Sequence, residues 1–306
     1  MNFSIIYNPI ATKFSQAALD HLIFKFVERG LKLNTVAKSE YSGHVIKLIK
    51  ELDPVSDYLI TFGGDGTVNE AFRAFNEIEQ HSIYAHISVG TTNDMANNFN
   101  LFRKDAIKSI DKLAEKGKVT YMDSLLVNGE PVCYVSSFGY VTAVPYLVNS
   151  KLKKKLGHAA YVFAAVPSLL KGPQRIKTTY TANGVTKSKD VMLALITTSK
   201  GMGGITLYED VDLSDGKFEV CLIHDFTPGL IAKIFGEYLT DSIDLSKYLD
   251  YIDVFSTDEL HIKFDGVLPY DDLDNDGNKA SFSLTLHENE LHYKIGKKIR
   301  ILMPEY

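Results

Sequence analysis

Thr61-Phe62-Gly63-Gly64-Asp65-Gly66-Thr67 joins an apolar run, Asp57–Phe62, to an amphipathic one that starts near Val68. The pattern predicts a strand, a tight turn and a helix. Glycine lets the backbone turn sharply and come close to a ligand without a side chain intervening. The helix that follows offers free N–H groups and the positive end of its dipole to an anion. Phosphate is the natural guest of such a turn, yet a carboxylate at position 65 would repel it. Asp65 makes sense if it holds Mg²⁺ or steers a reacting hydroxyl. Read alone, the stretch also fits an ordinary Gly-rich turn of a doubly wound sheet, with Asp65 capping the helix. It is neither a Walker loop nor a dinucleotide fingerprint.

A second stretch narrows the choice. Val89-Gly90-Thr91-Thr92-Asn93-Asp94-Met95-Ala96 follows another strand, Ile83–Val89, and leads into another helix. In a parallel sheet both loops fall at the carboxyl ends of strands, where ligands bind. Thr91, Thr92 and Asn93 carry hydroxyl and amide groups suited to phosphate or ribose, and Asp94 is a second carboxylate able to share a metal with Asp65. A capping turn is the plainer alternative. Outward from these loops, strands at Phe3–Tyr7 and Leu31–Ala37 alternate with helices at Ser15–Arg29, Gly43–Leu52 and Ala106–Lys116. This alternation implies βαβ units and a mainly parallel sheet.

Beyond residue 118 the pattern becomes strand-rich: Val119–Leu126, Pro131–Phe138, Arg175–Thr181, Val191–Thr198, Lys217–His224, Tyr251–Phe255, Glu259–Phe264 and Ser281–Leu286. Turn signals such as Asn128-Gly129 and Asn183-Gly184 separate them. Helical stretches interrupt near Pro145–Leu170 and Pro228–Leu239. The expected fold class is therefore α/β plus all-β, with a nucleotide-binding α/β domain over 1–118 and a β-sandwich over 119–290. The chain's 306 residues suit two cores. Its net charge of -5 disfavours a general nucleic-acid partner. Cys133 and Cys221 lie in separate apolar runs and read as buried free thiols of a reducing compartment. The nine histidines show no ligand spacing. The opening MNFSIIYNPI reads as a strand rather than a signal peptide, and no apolar run approaches the roughly 20 residues of a membrane span. A cytoplasmic protein with at most peripheral membrane contact is expected.

GGDGT followed by GTTNDMA is similar to the catalytic domain of diacylglycerol kinases, sphingosine kinases and their soluble bacterial relatives. Further likeness lies in Asn8-Pro9 after the first strand, Asp123 before a hairpin, Leu156–Tyr161, and Leu213-Ser214-Asp215-Gly216-Lys217-Phe218. The resemblance implies an ATP-dependent lipid kinase of two domains, with the segment 291–306 returning to the first. It implies that Asp65 and Asp94 are the catalytic carboxylates. Asn8, Lys13, Gly63, Gly64, Gly66, Thr67, Thr91, Thr92, Asn93 and Asp123 would serve ATP. It also implies a structural Mg²⁺ on Asp212, Asp215 and the carbonyl of Lys217. NAD kinases share a GGDG loop but are less similar at GTTND.

Two departures from the family pattern stand out. Family members usually carry Asp-Gly-Glu late in the second domain, where the Glu is taken as the general base; here the chain reads Asp265-Gly266-Val267. An arginine common after the second loop is Asn97 here. A catalytically weak or inactive protein that binds nucleotide, lipid or Ca²⁺ is thus the rival expectation. Just downstream, Asp271–Gly277 matches the first half of an EF-hand loop, but position 12 is Ser283 and the flanks read as strands, so a solvated hairpin turn is the simpler reading, with a calcium-binding or regulatory loop and a source of the missing catalytic carboxylate as alternatives. Lys151–Lys155 is the densest positive cluster and would suit an anionic membrane or simply a solvated helix end. Gly201–Gly204 reads as a close-approach or flexible loop near the substrate opening, of no assigned role, and the strand edges of a sandwich leave room for a homodimer.

Overall fold

The structure is a computed structural model that describes residues 1–139, 175–202, 205–208, 211–225, 230, 233–234, 237, 243–265 and 289–305. Val267, the acidic stretch Asp271–Gly277, Lys151–Lys155, Leu156–Tyr161, Gly203 and Gly204 lie outside them. So do the strand expected at Ser281–Leu286, the whole of the helix expected at Pro145–Leu170 and much of that at Pro228–Leu239.

The first part of the chain runs β1 (Asn2–Tyr7), α1 (Gln16–Glu28), β2 (Lys32–Lys38), α2 (His44–Leu52), β3 (Tyr58–Gly63), α3 (Asp65–Glu77), β4 (Ile83–Ser88), α4 (Asp94–Asn98) and α5 (Ala106–Lys116). The strands pair in parallel in the order β2-β1-β3-β4. Sequence direction therefore reverses between β1 and β3, the switch point at which the carboxyl ends of strands open a crevice. Right-handed crossovers send α1 to one face and α2 and α3 to the other. In agreement, α1 packs on α5, and α2 on α3. Helix starts are set locally. Ser15 Oγ accepts the Ala18 N–H at α1, and Asp105 accepts the Lys108 N–H at α5. Phe3, Ile5, Ile60, Phe62, Phe72, Phe75, Tyr84 and Ile87 fill the core, none of them solvent-exposed.

The second part runs β5 (Gly117–Val127), β6 (Glu130–Val132), β7 (Val135–Gly139), β8 (Ile176–Ala182), β9 (Val185–Val191), β10 (Leu193–Thr197), β11 (Gly201–Met202), β12 (Ile205–Thr206), β13 (Phe218–Ile223), β14 (Ile252–Thr257), β15 (Glu259–Phe264) and β16 (Glu290–Pro304). Antiparallel β14-β13-β10-β7 forms one sheet, and the first residues of β16 pair with β15, then β8, then β9. Phe138, Ile196, Val220, Tyr180, Ile262 and Tyr293 pack as one apolar layer from both sheets, a sandwich core. The turns Asn128-Gly129 and Asn183-Gly184 place both central residues at positive φ, as two-residue hairpins demand. The chain is thus a parallel α/β fold followed by an antiparallel β fold.

Two compact units emerge. One comprises Met1–Ser124, Asp212–Asp215 and Gly296–Tyr306, the other Leu125–Val211 and Gly216–Ile295. In the first, Ile301 near the end of β16 pairs in parallel with Tyr84 of β4. Both cysteines are buried and unbridged, and burial pushes the Cys221 thiol up to about 12.

Three elements differ from their expected form. Helix α3 begins at Asp65 rather than near Val68, because Gly64 O accepts both the Thr67 and Val68 N–H groups and draws Asp65 and Gly66 into the first turn. The single strand expected over Pro131–Phe138 is broken between β6 and β7. There Tyr134 O accepts the Thr197 hydroxyl and the Thr198 N–H, and Cys133 O accepts the Thr198 hydroxyl. Strand β9 was not expected: ValThrLysSerLysAsp is exposed or half-buried throughout and lacks an apolar alternation, as a charged edge strand can.

Beneath the carboxyl ends of β3 and β4 lies a buried polar knot. Thr61 Oγ1 is 2.6 Å from the Tyr84 hydroxyl and 2.8 Å from His86 Nδ1. Burial alone lowers the His86 pKa from 6.5 to about 3. Between those values the unfolded chain takes up a proton that the folded chain refuses, so this stability is present above pH 6.5 and lost as pH falls. The expected loss at pH 5 is about 2 kcal/mol. It shows as a steeper fall of Tm from pH 7 to pH 5 for the wild type than for His86→Gln, measured by circular dichroism. Parallel pH profiles would refute the assignment.

Candidate functional site

Asn8 and Lys13 follow β1, Gly63 to Thr67 follow β3, and Val89 to Asp94 follow β4, so the topology delivers three loops to one edge of the parallel sheet. Backbone hydrogen bonds then knit them. Asn8 N donates to Phe62 O at 2.9 Å, Lys13 N to Val89 O at 2.8 Å, and Val89 N to Gly63 O at 2.7 Å. Thr12 and Thr91 join hydroxyls at 2.8 Å.

The glycines of the two loops sit in different surroundings. A Cβ on Gly63 would lie 2.2 Å from Thr67 Oγ1, and one on Gly90 would lie 2.7 Å from Gly64 Cα and 2.9 Å from Asn93 Oδ1. Gly64 and Gly90 are where the two loops touch, backbone on backbone. At Gly66 a Cβ would meet nothing within 4 Å. No described neighbour forbids a side chain there; the open space lies in the first turn of α3, whose Gly64 N-cap offers no side-chain cap.

Asn93 builds the second loop from within. It is fully buried and left-handed (φ 60), its Oδ1 accepts Gly90 N–H at 2.7 Å, and its Nδ2 donates to Arg103 O at 2.8 Å. Both ends of its amide are spent on the protein. Asn tolerates that backbone region better than most residues.

Asp65 and Asp94 come together where the two loops meet. Asp65 Oδ1 accepts the Met95 N–H at 3.0 Å, which ties the first loop's carboxylate to the start of α4. Burial, and then the negative charge of Asp94, hold the Asp65 carboxyl above the usual range; backbone N–H groups of 93–95 oppose this only in part. Asp94 is itself buried. A half-buried carboxylate and a buried one that repel each other form a donor pair a divalent cation would relieve, and their hard oxygens suit Mg²⁺.

A cationic rim, of which the sequence patterns did not reveal Arg103, begins beside Asp94. The Arg103 guanidinium donates twice to Thr92 O, at 3.3 and 3.2 Å, and lies 3.9 Å from Asp94 Oδ1. Lys13 is held below its ordinary pKa by burial first, then by the positive charges of Arg103 and Lys104. Cations crowded so that each disfavours the next are suited to a polyanion. Arg103 sits in a loop with no periodicity to flag it; the signal available was the missing arginine at Asn97. Among the described residues, Arg103 supplies a guanidinium beside Asp94 from six positions further on.

The remaining expected site residues form a second group. Asp123 is buried on β5, its N–H donates to Leu213 O at 2.7 Å, and Lys298 Nζ lies 3.9 Å from its Oδ1. Asp212 and Asp215 flank this point in the turn Asp212–Asp215 and are exposed. Lys217, also exposed, falls in the other compact unit.

Comparison with known proteins places this architecture. Residues 2–127 match the diacylglycerol kinase catalytic domain. It is similar to the diacylglycerol kinase of Bacillus subtilis (strain 168), 28% identical over 86% of this chain and 88% of that one. It is also similar to the diacylglycerol kinase of Staphylococcus carnosus (strain TM300), 24% identical over 86% and 87%. The fold matches the crystal structure of a diacylglycerol kinase from Bacillus anthracis str. Sterne, with a TM-score of 0.71, 18% identity, and coverage of 100% of this chain and 97% of that one.

Proposed function

We propose that the chain is an ATP-dependent lipid kinase that moves the γ-phosphoryl group to a lipid hydroxyl, with diacylglycerol as acceptor and phosphatidic acid as product. One observation carries the reading: the mutually repelling pair of Asp65, half-buried at the start of α3, and Asp94, buried at the start of α4, with the Arg103 guanidinium beside Asp94 and Lys13 nearby, its pKa lowered by burial and then by the charges of Arg103 and Lys104. The names of the relatives support the acceptor. Asp65 and Asp94 would hold Mg²⁺, which when bound draws charge from the phosphoryl oxygens and the departing β-phosphate. The first-turn N–H groups of α3 and the bare Cα of Gly66 receive the phosphates, and Lys13, Arg103 and Lys104 balance their charge. The lipid oxygen attacks phosphorus, the bond to the bridging β–γ oxygen breaks, and the hydroxyl proton leaves to a base or to water. Positioning and charge supply most of the catalysis in such a transfer.

A second reading is favoured by Val267, which cannot accept a proton where the family carries Glu. On it, the chain binds nucleotide and lipid as a regulator with weak or no turnover. Contact with an anionic membrane through Lys151–Lys155 would serve either reading, as a peripheral association. Among the described residues no helix is long and apolar enough to cross a membrane.

The test is transfer of labelled γ-phosphate from Mg·ATP to diacylglycerol in mixed micelles, with Gly66→Ala beside the wild type. Among the described residues, the added methyl meets no atom within 4 Å beyond its own helical turn. It projects into space assigned to phosphate, so Tm should stay within about 2 °C while KM for ATP rises about tenfold or more. Label in the lipid with an unchanged KM would detach the phosphates from this turn. No label from wild type would remove diacylglycerol as the acceptor or leave the regulator.

A further inference from the structure

Phe102 is an aromatic side chain that the fold keeps out of its core. Its ring is 45% exposed, yet its backbone is fixed. The buried Ser109 Oγ, on α5, accepts the Phe102 N–H at 3.0 Å and lies 3.1 Å from Phe102 O. The loop between α4 and α5 is thus held with its ring in solvent. Ile107, in the first turn of α5, is exposed as well, and so is Ile10 on the loop after β1.

Single exposed apolar side chains need no explanation. These stand among cations. The Lys112 ammonium sits 5.5 Å from the centre of the Phe102 ring, held there by Asn100 O at 2.6 Å and Asn100 Oδ1 at 2.8 Å. Lys104 and Lys108 are exposed, before and after Ile107 in the chain. Lys13, on the same loop as Ile10, has its pKa lowered by burial and then by the charges of Arg103 and Lys104, which brings that loop to the same rim.

The acidic residues of the stretch are spent locally. Asp105 Oδ1 accepts the Lys108 N–H at 3.0 Å, and its Oδ2 lies 3.5 Å from the Lys108 ammonium. Asp111 turns to α1, 2.8 Å from His21 Nε2 and 3.8 Å from Lys25 Nζ. Residues 100–112 carry four basic side chains against these two acids, in a chain of net charge -5. A protein surface offers charges of both signs. A bilayer rich in anionic lipid offers one sign over an apolar layer, which is what cations around a projecting ring complement.

We propose that Phe102, Ile107 and Ile10 form the surface on which the first unit meets an anionic lipid bilayer, with Lys104, Lys108 and Lys112 against its phosphates. The assignment rests on the reading of the chain as a lipid kinase. It sets the catalytic loops against the membrane, because Arg103, next in the chain to Phe102, is turned to Thr92 O and Asp94.

The test is sedimentation of the full chain with sucrose-loaded vesicles of phosphatidylglycerol and phosphatidylcholine, without nucleotide. Phe102→Ser and Lys108→Glu should each weaken partition about tenfold, with Tm within about 2 °C of the wild type. Phosphate transfer to monomeric dioctanoylglycerol should be unchanged in both, while transfer to diacylglycerol in vesicles falls. The chain has no tryptophan, so Phe102→Trp supplies a single indole, whose emission should shift to the blue on these vesicles and not on phosphatidylcholine alone. An indole that does not respond overturns the proposal, as does a partition that Phe102→Ser leaves unchanged. A loss confined to Lys153→Glu and Lys155→Glu would place the contact there instead, and a Phe102→Ser chain that loses a dimer in sedimentation velocity would make the patch an interface between copies; either result refutes it. Phe102-dependent binding with no label in any acceptor would uphold the surface and remove the kinase reading.

Discussion

Asp65→Asn is expected to lower kcat/KM for phosphoryl transfer by about 10³-fold while raising the Tm of the nucleotide-free protein. The two effects share one cause. Burial and the charge of Asp94 disfavour the ionised Asp65 carboxyl in the folded state. An acid whose folded pKa is raised costs stability at pH values above its unfolded pKa, and removing the charge returns that cost. Asn still offers an oxygen to the Met95 N–H, so the tie between the two loops survives. What it lacks is the negative charge that binds a divalent cation, and loss of one such electrostatic element at a phosphoryl-transfer site is worth about 10²–10³-fold or more. Millimolar Mg²⁺ should likewise raise the Tm of the wild type and leave that of Asp65→Asn unmoved. The measurements are labelled phosphate transfer and calorimetry on the same preparations. A variant with wild-type kinetics would make Asp65 a helix cap. One that loses activity and Tm together would show that its carboxylate stabilises the fold, against the strain argued here.

Much of this fold could be read because its determinants are local. Ser15 and Asp105 sit at helix starts with their caps intact, and two Asn-Gly pairs sit where hairpins need positive φ at both positions. The alternation of strands and helices before residue 118 pointed to a parallel sheet through periodicity alone. What escaped was non-local. The break between β6 and β7 is made by hydroxyls of Thr197 and Thr198, over 60 residues away, which no window of sequence contains. Strand β9 exists because β8 offers it an edge, not because its own polar residues favour extension. At the site, the two glycine loops announced themselves because glycine is demanded by geometry on the spot. Arg103 did not, since its placement beside Asp94 depends on the left-handed Asn100, where the chain leaves α4, and on the Asn93 amide that grips its carbonyl. The Lys298 ammonium on Ser214 joins residues 84 positions apart, and composition carries no trace of it.

Val267→Glu is expected to raise kcat by about 10²-fold, with KM for ATP unchanged. The size comes from general-base assistance, worth about 10²–10⁴-fold where a carboxylate can take the hydroxyl proton as the bond to phosphorus forms. Everything else the transfer needs is assigned to the first unit: the carboxylate pair, the bare first turn of α3 and the cationic rim. Position 267 belongs to the other unit, so the substitution is designed to test the base separately from nucleotide binding. A wild type near zero and a variant at ordinary kinase rates of about 1–100 per second would make the natural protein a binder on an intact scaffold. A wild type already at such rates, with no gain in the variant, would mean that another group takes the proton. Asp272, Asp274 and Asp276, close by in sequence, would be the first to replace with Asn. A rise in KM for ATP with no rise in kcat would show that position 267 reports on the nucleotide. The general-base assignment for this position would then fall, and the choice between enzyme and regulator would rest on Asp65 alone.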